Sequence, residues 1–171
     1  MALRTRGGTG SHWHSCRGSA GAEALAETST KVPPEALFGG TGLESARIVL
    51  ALAAIVLDAR VAAANGSTGD AIRLWTNAVA AADKLPYDEP PVFFYPVRES
   101  LGAALLLSGK AADAERVFRE DLARHPRNAR SLFGLHESLT KQGKSADAEW
   151  VKRAFDEAWK DADTTLTIEV L

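Results

Sequence analysis

The chain has 171 residues, of which 46% are hydrophobic, and this is enough for one domain with a substantial core. Its 20 basic residues nearly balance its 22 acidic residues, which argues against a nucleic-acid-binding arm, so we predict no nucleic-acid partner. The single cysteine, Cys16, excludes a disulfide within the chain and fits a reducing compartment, so we predict a cytoplasmic location.

The N-terminal segment, residues 1–43, differs in composition from the remainder. It contains eight of the 14 glycines and shows almost no apolar periodicity, so we predict that it is disordered. An organellar transit peptide is an alternative, since arginines occur there and no acidic residue precedes Glu23. His12, His14 and Cys16 have side chains that commonly bind metals. Their alternate spacing in a glycine-rich segment offers three ligands but no neighbouring groups to orient them, so we predict no metal site.

Six amphipathic segments follow and predict an all-α fold. The unbroken apolar run over residues 48–57 is half the length of a membrane-spanning helix, so we predict a buried helix and no membrane partner. The prolines fall between the segments, where a helical repeat needs breaks. We expect the β-branched tail, residues 164–171, to lie extended across the last helix. The predicted helices cover residues 44–64, 68–84, 96–108, 111–124, 128–142 and 145–161.

A spaced motif occurs in the middle of the chain and is repeated on both sides. It reads Arg98-x2-Leu101-Gly102-x2-Leu105, then Ala114-x3-Phe118, then Pro126. Small residues at positions 102 and 114 let two helices approach closely, and Gly109 suits the turn between them. A shift of 34 residues reaches Gly143 and Ala148, and a backward shift of 43 residues reaches Gly66, Ala71 and Trp75.

The later copy is degenerate in its small and aromatic positions. His136 and Lys152 stand where the central copy has Gly102 and Phe118. We expect Gly134 to restore part of the close approach in this copy. The earlier copy carries nine extra residues, which fall in the proline-rich segment 85–95.

This pattern resembles the tetratricopeptide repeat (TPR) family, whose unit is a helix-turn-helix of 34 residues. The resemblance covers residues 44–161 and implies an α-solenoid of about three antiparallel helix pairs, followed by a tail over residues 162–171. The chain is similar to the C-terminal part of longer bacterial TPR-containing proteins. From this similarity we expect upstream repeats to be missing. The family's usual work is to bind other proteins or peptides without catalysis or a cofactor.

The resemblance also implies where a partner would bind, because the first helix of each repeat lines a concave groove. The alternative is that these side chains are merely solvated helix faces. The implied groove consists of Val56, Arg60, Glu99, Ala103, Leu106, Arg130, Phe133, Glu137 and Lys141.

The proline-rich insertion adds a candidate rim to this groove. Asp88 and Glu89 precede Arg98, and an ion pair between them would pin the loop to the next helix, whereas ligand binding is the alternative. Tyr95 is the aromatic residue of this loop most suited to a wet face, because its hydroxyl needs a polar partner.

Candidate catalytic residues are few, and we predict that the chain is not an enzyme. Only His125 and His136 lie in the predicted helical part, and neither stands beside a nucleophile and an orienting group in the sequence. We expect His136 to be a partly buried, hydrogen-bonded residue at a helix crossing.

Trp150 falls on the face of the last helix opposite its apolar stripe, and this position predicts that it forms an interface with another molecule. The alternative is that the helix is rotated.

Two functions follow from these observations. The first is a protein- or peptide-binding scaffold, and the second is a structural C-terminal cap or self-association module of a larger repeat assembly. The sequence names no partner for either.

Overall fold

The computed structural model describes residues 10–38 and 44–171 of the chain, and side chains from residue 20 onward except that of Glu44. These residues form two compact units, of which the first ends at Phe94 and the second is Tyr95–Leu171. Within the described residues the fold is helical apart from one pair of two-residue strands. No helix of the described part is long and apolar enough to span a membrane.

The first unit contains three helices and the strand pair. Its elements in chain order are α1 (Gly10–Lys31), β1 (Leu37–Phe38), β2 (Glu44–Ser45), α2 (Ala46–Ala64) and α3 (Thr68–Ala82). The strands pair antiparallel, with Leu37 opposite Ser45. Helices α2 and α3 pack as a hairpin, in which Ala71 and Trp75 are buried as the repeat pattern predicts.

Helix α1 differs from the predicted disorder of residues 1–43. It packs against α2 through a half-buried stripe at Ala22, Leu25 and Ser29, and a Cβ on Gly21 would lie 3.7 Å from Leu57 Cδ2. The helix formers that follow Gly21, a run of alanine, glutamate and leucine, explain why a segment with little periodicity is helical here. Residues 1–9 and 39–43, and the side chains of His12, His14 and Cys16, lie outside the described residues.

The second unit contains four helices and a short turn. Its elements are α4 (Val97–Leu107), α5 (Ala111–Arg124), α6 (Ala129–Lys141), α7 (Ser145–Trp159) and a 3₁₀ turn (Ile168–Val170). Each helix packs on its neighbour in the chain, and α4 also contacts α6 and the 3₁₀ turn. The six predicted helices are confirmed, with every end within two residues of its prediction.

Glycine closes each of the three helix hairpins in a left-handed conformation. The φ angles are 75° at Gly66, 82° at Gly109 and 71° at Gly143. A side chain would strain the backbone at these positions, which explains why glycine recurs at the same place in the pattern. The turn between α5 and α6 has no glycine, and there Arg127 adopts a φ of 69°.

The core of the second unit is organised around the ring of Phe118, which has no exposed surface. The ring lies against the backbones of α4 and α6 at Gly102 and Gly134. A Cβ on Gly102 would lie 2.7 Å from the Cε1 atom of the ring, and a Cβ on Gly134 would overlap the ring as well. Gly134 therefore allows a close approach, but the atoms nearest to its added Cβ belong to α5, whereas the repeat pattern predicted a contribution within its own copy, between α6 and α7.

We predict that Gly102→Ala and Gly134→Ala each lower the free energy of unfolding by about 1 to 3 kcal/mol, because the added methyl group forces Phe118 out of its position. The matched control is Gly69→Ala in α3, where an added Cβ meets nothing within 4 Å. This control should leave stability unchanged or raise it by up to about 1 kcal/mol through helix propensity. Urea denaturation measures all three variants, and equal stability of Gly102→Ala and the wild type would contradict the packing described.

Glu115 on α5 joins that helix to the turn between α6 and α7. Its carboxylate accepts hydrogen bonds from Lys144 Nζ at 2.7 Å, Gln142 Nε2 at 2.8 Å and Arg119 Nε at 2.9 Å. The hydrogen bond from Lys144, helped by those from Gln142 and Arg119, lowers the pKa of Glu115 from 4.5 to about 2, although partial burial acts to raise it. The ionised form is therefore favoured by folding.

Because the pKa of Glu115 is lower in the folded chain, its contribution to stability is present above pH 4.5 and is lost as the pH falls toward 2. We predict that Glu115→Gln costs about 1 kcal/mol at pH 7, a value reduced for solvent screening because Lys144 is 44% exposed. The difference from the wild type should shrink between pH 5 and pH 2 in urea titrations. Glu120→Gln, which removes the exposed pair with Arg116, is the control and should change stability by less than about 0.5 kcal/mol at any pH.

Candidate functional site

An ion pair between a buried glutamate and a half-buried arginine joins α4 and α6, the first helices of the two hairpins in the second unit. Glu99 of α4 is 3% exposed, and its Oε2 accepts from Nε of Arg130 on α6 at 2.5 Å. Its other oxygen, Oε1, accepts from Asn128 Nδ2 at 2.8 Å. Both oxygens of the buried carboxylate therefore have partners, as a charge in this position requires.

Asn128 links this ion pair to a second buried carboxylate. It is the N-cap of α6, where its side chain accepts from the backbone N–H of Arg130 at 3.1 Å, and its amide also donates to Asp121 Oδ2 at 2.9 Å. Asp121 accepts a further hydrogen bond from Ser131 Oγ at 2.6 Å. A continuous polar network thus joins the C-terminal part of α5 to the N-terminal parts of α4 and α6.

His125 adds a ring nitrogen to this network. Its Nδ1 lies 3.1 Å from Asp121 Oδ1. The hydroxyl of Ser131 donates to the same carboxylate and not to the imidazole, which differs from the nucleophile–base arrangement of a hydrolytic triad. His136 is half-buried and its Nδ1 lies 3.1 Å from the carbonyl oxygen of Ala148, which joins α6 to α7.

Beyond the ion pair, Arg130 directs its Nη2 at backbone oxygens of the tail. Its Nη2 donates to the carbonyl oxygen of Val170 at 2.5 Å and of Leu171 at 3.3 Å. The hydroxyl of Ser100 on α4 donates to the same Leu171 oxygen at 3.1 Å. Ser100 is positioned by Tyr95, whose hydroxyl lies 2.8 Å from Ser100 Oγ.

The tail therefore follows a course different from the predicted one. It begins beside α7, where Trp159 Nε1 donates to the carbonyl oxygen of Thr164 at 2.8 Å, but it does not continue across that helix. The 3₁₀ turn packs on α4, and Leu171 is buried with 7% of its surface exposed. The donors on Arg130 and Ser100 explain the difference, because they bind the backbone oxygens at the end of the tail and draw it onto α4 and α6. We call the surface formed by Glu99, Ser100 and Arg130 the α4–α6 surface.

The structure brings together some of the predicted groove residues and separates others. Glu99 and Arg130 are in direct contact, whereas Ala103 and Leu106 are buried and offer a partner little area. Phe133 and Glu137 are half-buried, and Lys141 is exposed. Val56, which is buried, and Arg60, which is exposed, belong to the first unit.

Phe133 also has a partner within the fold. Its ring lies 5.6 Å from that of Phe155 on α7, and Phe155 stacks on Trp159 with 6.2 Å between ring centroids.

The predicted rim residues are divided between the units. Asp88 and Glu89 belong to the first unit, in which Asp88 is buried and Glu89 accepts from the Tyr87 hydroxyl at 2.7 Å. Arg98, in the second unit, is buried. The ion pair between the loop and Arg98 stays a prediction.

Trp150 is exposed, as its place on the helix predicts, with 66% of its surface accessible. It borders a cleft of about 420 Å³ that is formed by α5, α6 and α7. The apolar lining of this cleft includes Leu122, Leu132, Leu135 and Val151.

Among the described residues no group of three or more histidine, cysteine or acidic side chains could hold a metal ion.

Sequence reasoning missed Ser100 as a member of the α4–α6 surface. It also missed Asn128 and Asp121, which support the ion pair, and the contact of the tail with this surface. An available signal pointed to Asn128, since asparagine before a helix is a favoured N-cap. No local pattern marks Asp121 or Leu171, because their partners are distant in the chain.

Comparison with protein-family models, with curated proteins and with solved structures finds no match to this chain.

We predict that Arg130→Met lowers the free energy of unfolding by about 3 kcal/mol, because it leaves the Glu99 carboxylate buried without its cation. Replacing both partners, in Glu99→Leu/Arg130→Met, should restore at least half of that loss, since an apolar pair needs no compensation. Denaturation with urea measures both variants. A double variant less stable than Arg130→Met would show that the pair is not the reason for the loss.

Proposed function

We propose that the chain is a non-catalytic peptide-binding module of TPR-like solenoid type, and that the α4–α6 surface is its ligand site. One observation supports this most strongly. The side chains of Arg130 and Ser100 donate to the backbone oxygens of two consecutive residues, Val170 and Leu171. Donors that meet successive backbone oxygens recognise a peptide main chain, which is the recognition that a scaffold module needs.

The ion pair with Glu99 prepares Arg130 for this role. With Nε held by the carboxylate, the planar guanidinium has a fixed orientation and its Nη2 points at the ligand position. Less conformational entropy is then lost when a peptide binds. Lysine could keep the charge pair but has no second group in a fixed position, so arginine is the better residue for this arrangement.

The repeat pattern supports the TPR-like part of the proposal. Three hairpins with glycine at the turn and small residues at the crossing are what such units need. The single cysteine supports a cytoplasmic location as part of the same proposal.

Selection from a library of random nine-residue peptides displayed on phage tests this function. The wild-type chain should enrich peptides with an apolar C-terminal half, and Arg130→Lys should reduce their affinity by about tenfold or more through loss of the fixed donor pair. The control is Arg127→Lys, an exposed arginine in the turn before α6, which should bind as the wild type does. Failure to enrich any sequence, or equal binding by Arg130→Lys, would contradict the proposal.

The second candidate is a cap or self-association module, and the exposed Trp150 beside the apolar cleft favours it. Light scattering separates the two functions. A dimer that Trp150→Arg converts to a monomer of unchanged stability would support self-association through α7, whereas a wild-type monomer at all concentrations would contradict it.

A further inference from the structure

The tail already fills the place that the proposed function gives to a peptide. We propose that Ile168–Val170 and Leu171 act as an intramolecular occupant of the α4–α6 surface, which a partner peptide of the same chemistry must displace. Such a peptide has a leucine that becomes buried and two consecutive backbone oxygens that accept hydrogen bonds from Arg130 and Ser100. The inference rests on the proposed function, and adds to it the class of ligand and a mode of regulation.

The tail contacts the protein in the way that a bound peptide does, and less in the way that a helix of the core does. Its own backbone forms the turn, through Val170 N–H to Thr167 O at 3.2 Å and Leu171 N–H to Ile168 O at 3.3 Å. The backbone oxygens of Val170 and Leu171 are thereby left to face the protein donors, as in a docked peptide. Only Leu171 is buried, whereas Val170 is 55% exposed.

Among the described residues, the end of the tail is held by one buried side chain and by three hydrogen bonds from side chains of α4 and α6, and its beginning by the hydrogen bond from Trp159 of α7. All other described residues after Trp159 are exposed or half-buried. A segment tethered in this way competes with free peptide at an effective concentration of about millimolar. Such a competitor weakens the binding of other peptides and yields to a partner that makes more contacts.

The surface itself does not depend on the tail. The ion pair of Glu99 with Arg130, and the hydrogen bonds of Asn128, join only α4, α5 and α6. Displacement of the tail therefore leaves the donors in place for another ligand, which is the property that an exchangeable occupant requires.

A labelled synthetic peptide of residues 163–171 tests this inference by fluorescence anisotropy against full-length chains. Leu171→Ala removes the buried anchor of the tail, and Val170→Ala is the matched control at an exposed neighbour whose carbonyl is retained. We expect Leu171→Ala to bind the peptide at least about tenfold more tightly than the wild type, with Val170→Ala close to the wild type. Adding Arg130→Lys should weaken peptide binding both in the wild-type chain and in the Leu171→Ala variant.

Each other outcome has a distinct meaning. Equal affinity of the wild type and Leu171→Ala would show that peptides bind but that the tail is not an occupant. If the tail peptide binds to none of the variants, and circular dichroism shows that they are folded, the proposed ligand class is wrong. The library selection decides separately whether any other peptide binds. A wild-type dimer that Leu171→Ala abolishes would show that the tail serves a second copy, which would overturn the intramolecular form of the proposal.

Discussion

The packing of one ring against two glycines is the constraint on which the second unit depends. Phe118 can be fully buried only because α4 and α6 present bare backbone at Gly102 and Gly134. The three helices therefore meet at a spacing that any side chain at these positions would enlarge. This spacing brings Glu99 of α4 within reach of Arg130 of α6, so the apolar packing in the core sets the geometry of the polar surface.

The polar network around Glu99 orients the side chain of Arg130 more than it stabilises the fold. Buried ion pairs commonly contribute little net free energy, because desolvation offsets their attraction. What Glu99 and Asn128 provide is a single orientation for the guanidinium of Arg130. The oriented donors then meet the carbonyls of Val170 and Leu171, and this supports both the proposed peptide binding and its proposed inhibition by the tail.

Much of the local structure could be predicted from the sequence, because it depends on neighbouring residues. Helix ends follow from periodicity and proline, and the turn at Gly109 follows from the need for a positive φ. The position of the tail could not be predicted, since Leu171 finds its partners 41 and 71 residues earlier in the chain. Helix α1 was also missed, because its residues pack against α2 without a strong periodicity of their own.

A double-mutant cycle between Gly102→Ala and Phe118→Leu tests the central claim, that contact between the ring and the helix backbone sets the helix spacing. In urea denaturation, the cost of Gly102→Ala should largely disappear once the ring is replaced by leucine. This would give a coupling free energy of at least about 1 kcal/mol. Effects of the two substitutions that add to within about 0.5 kcal/mol would contradict the claim, because they would show that the glycine and the ring act independently.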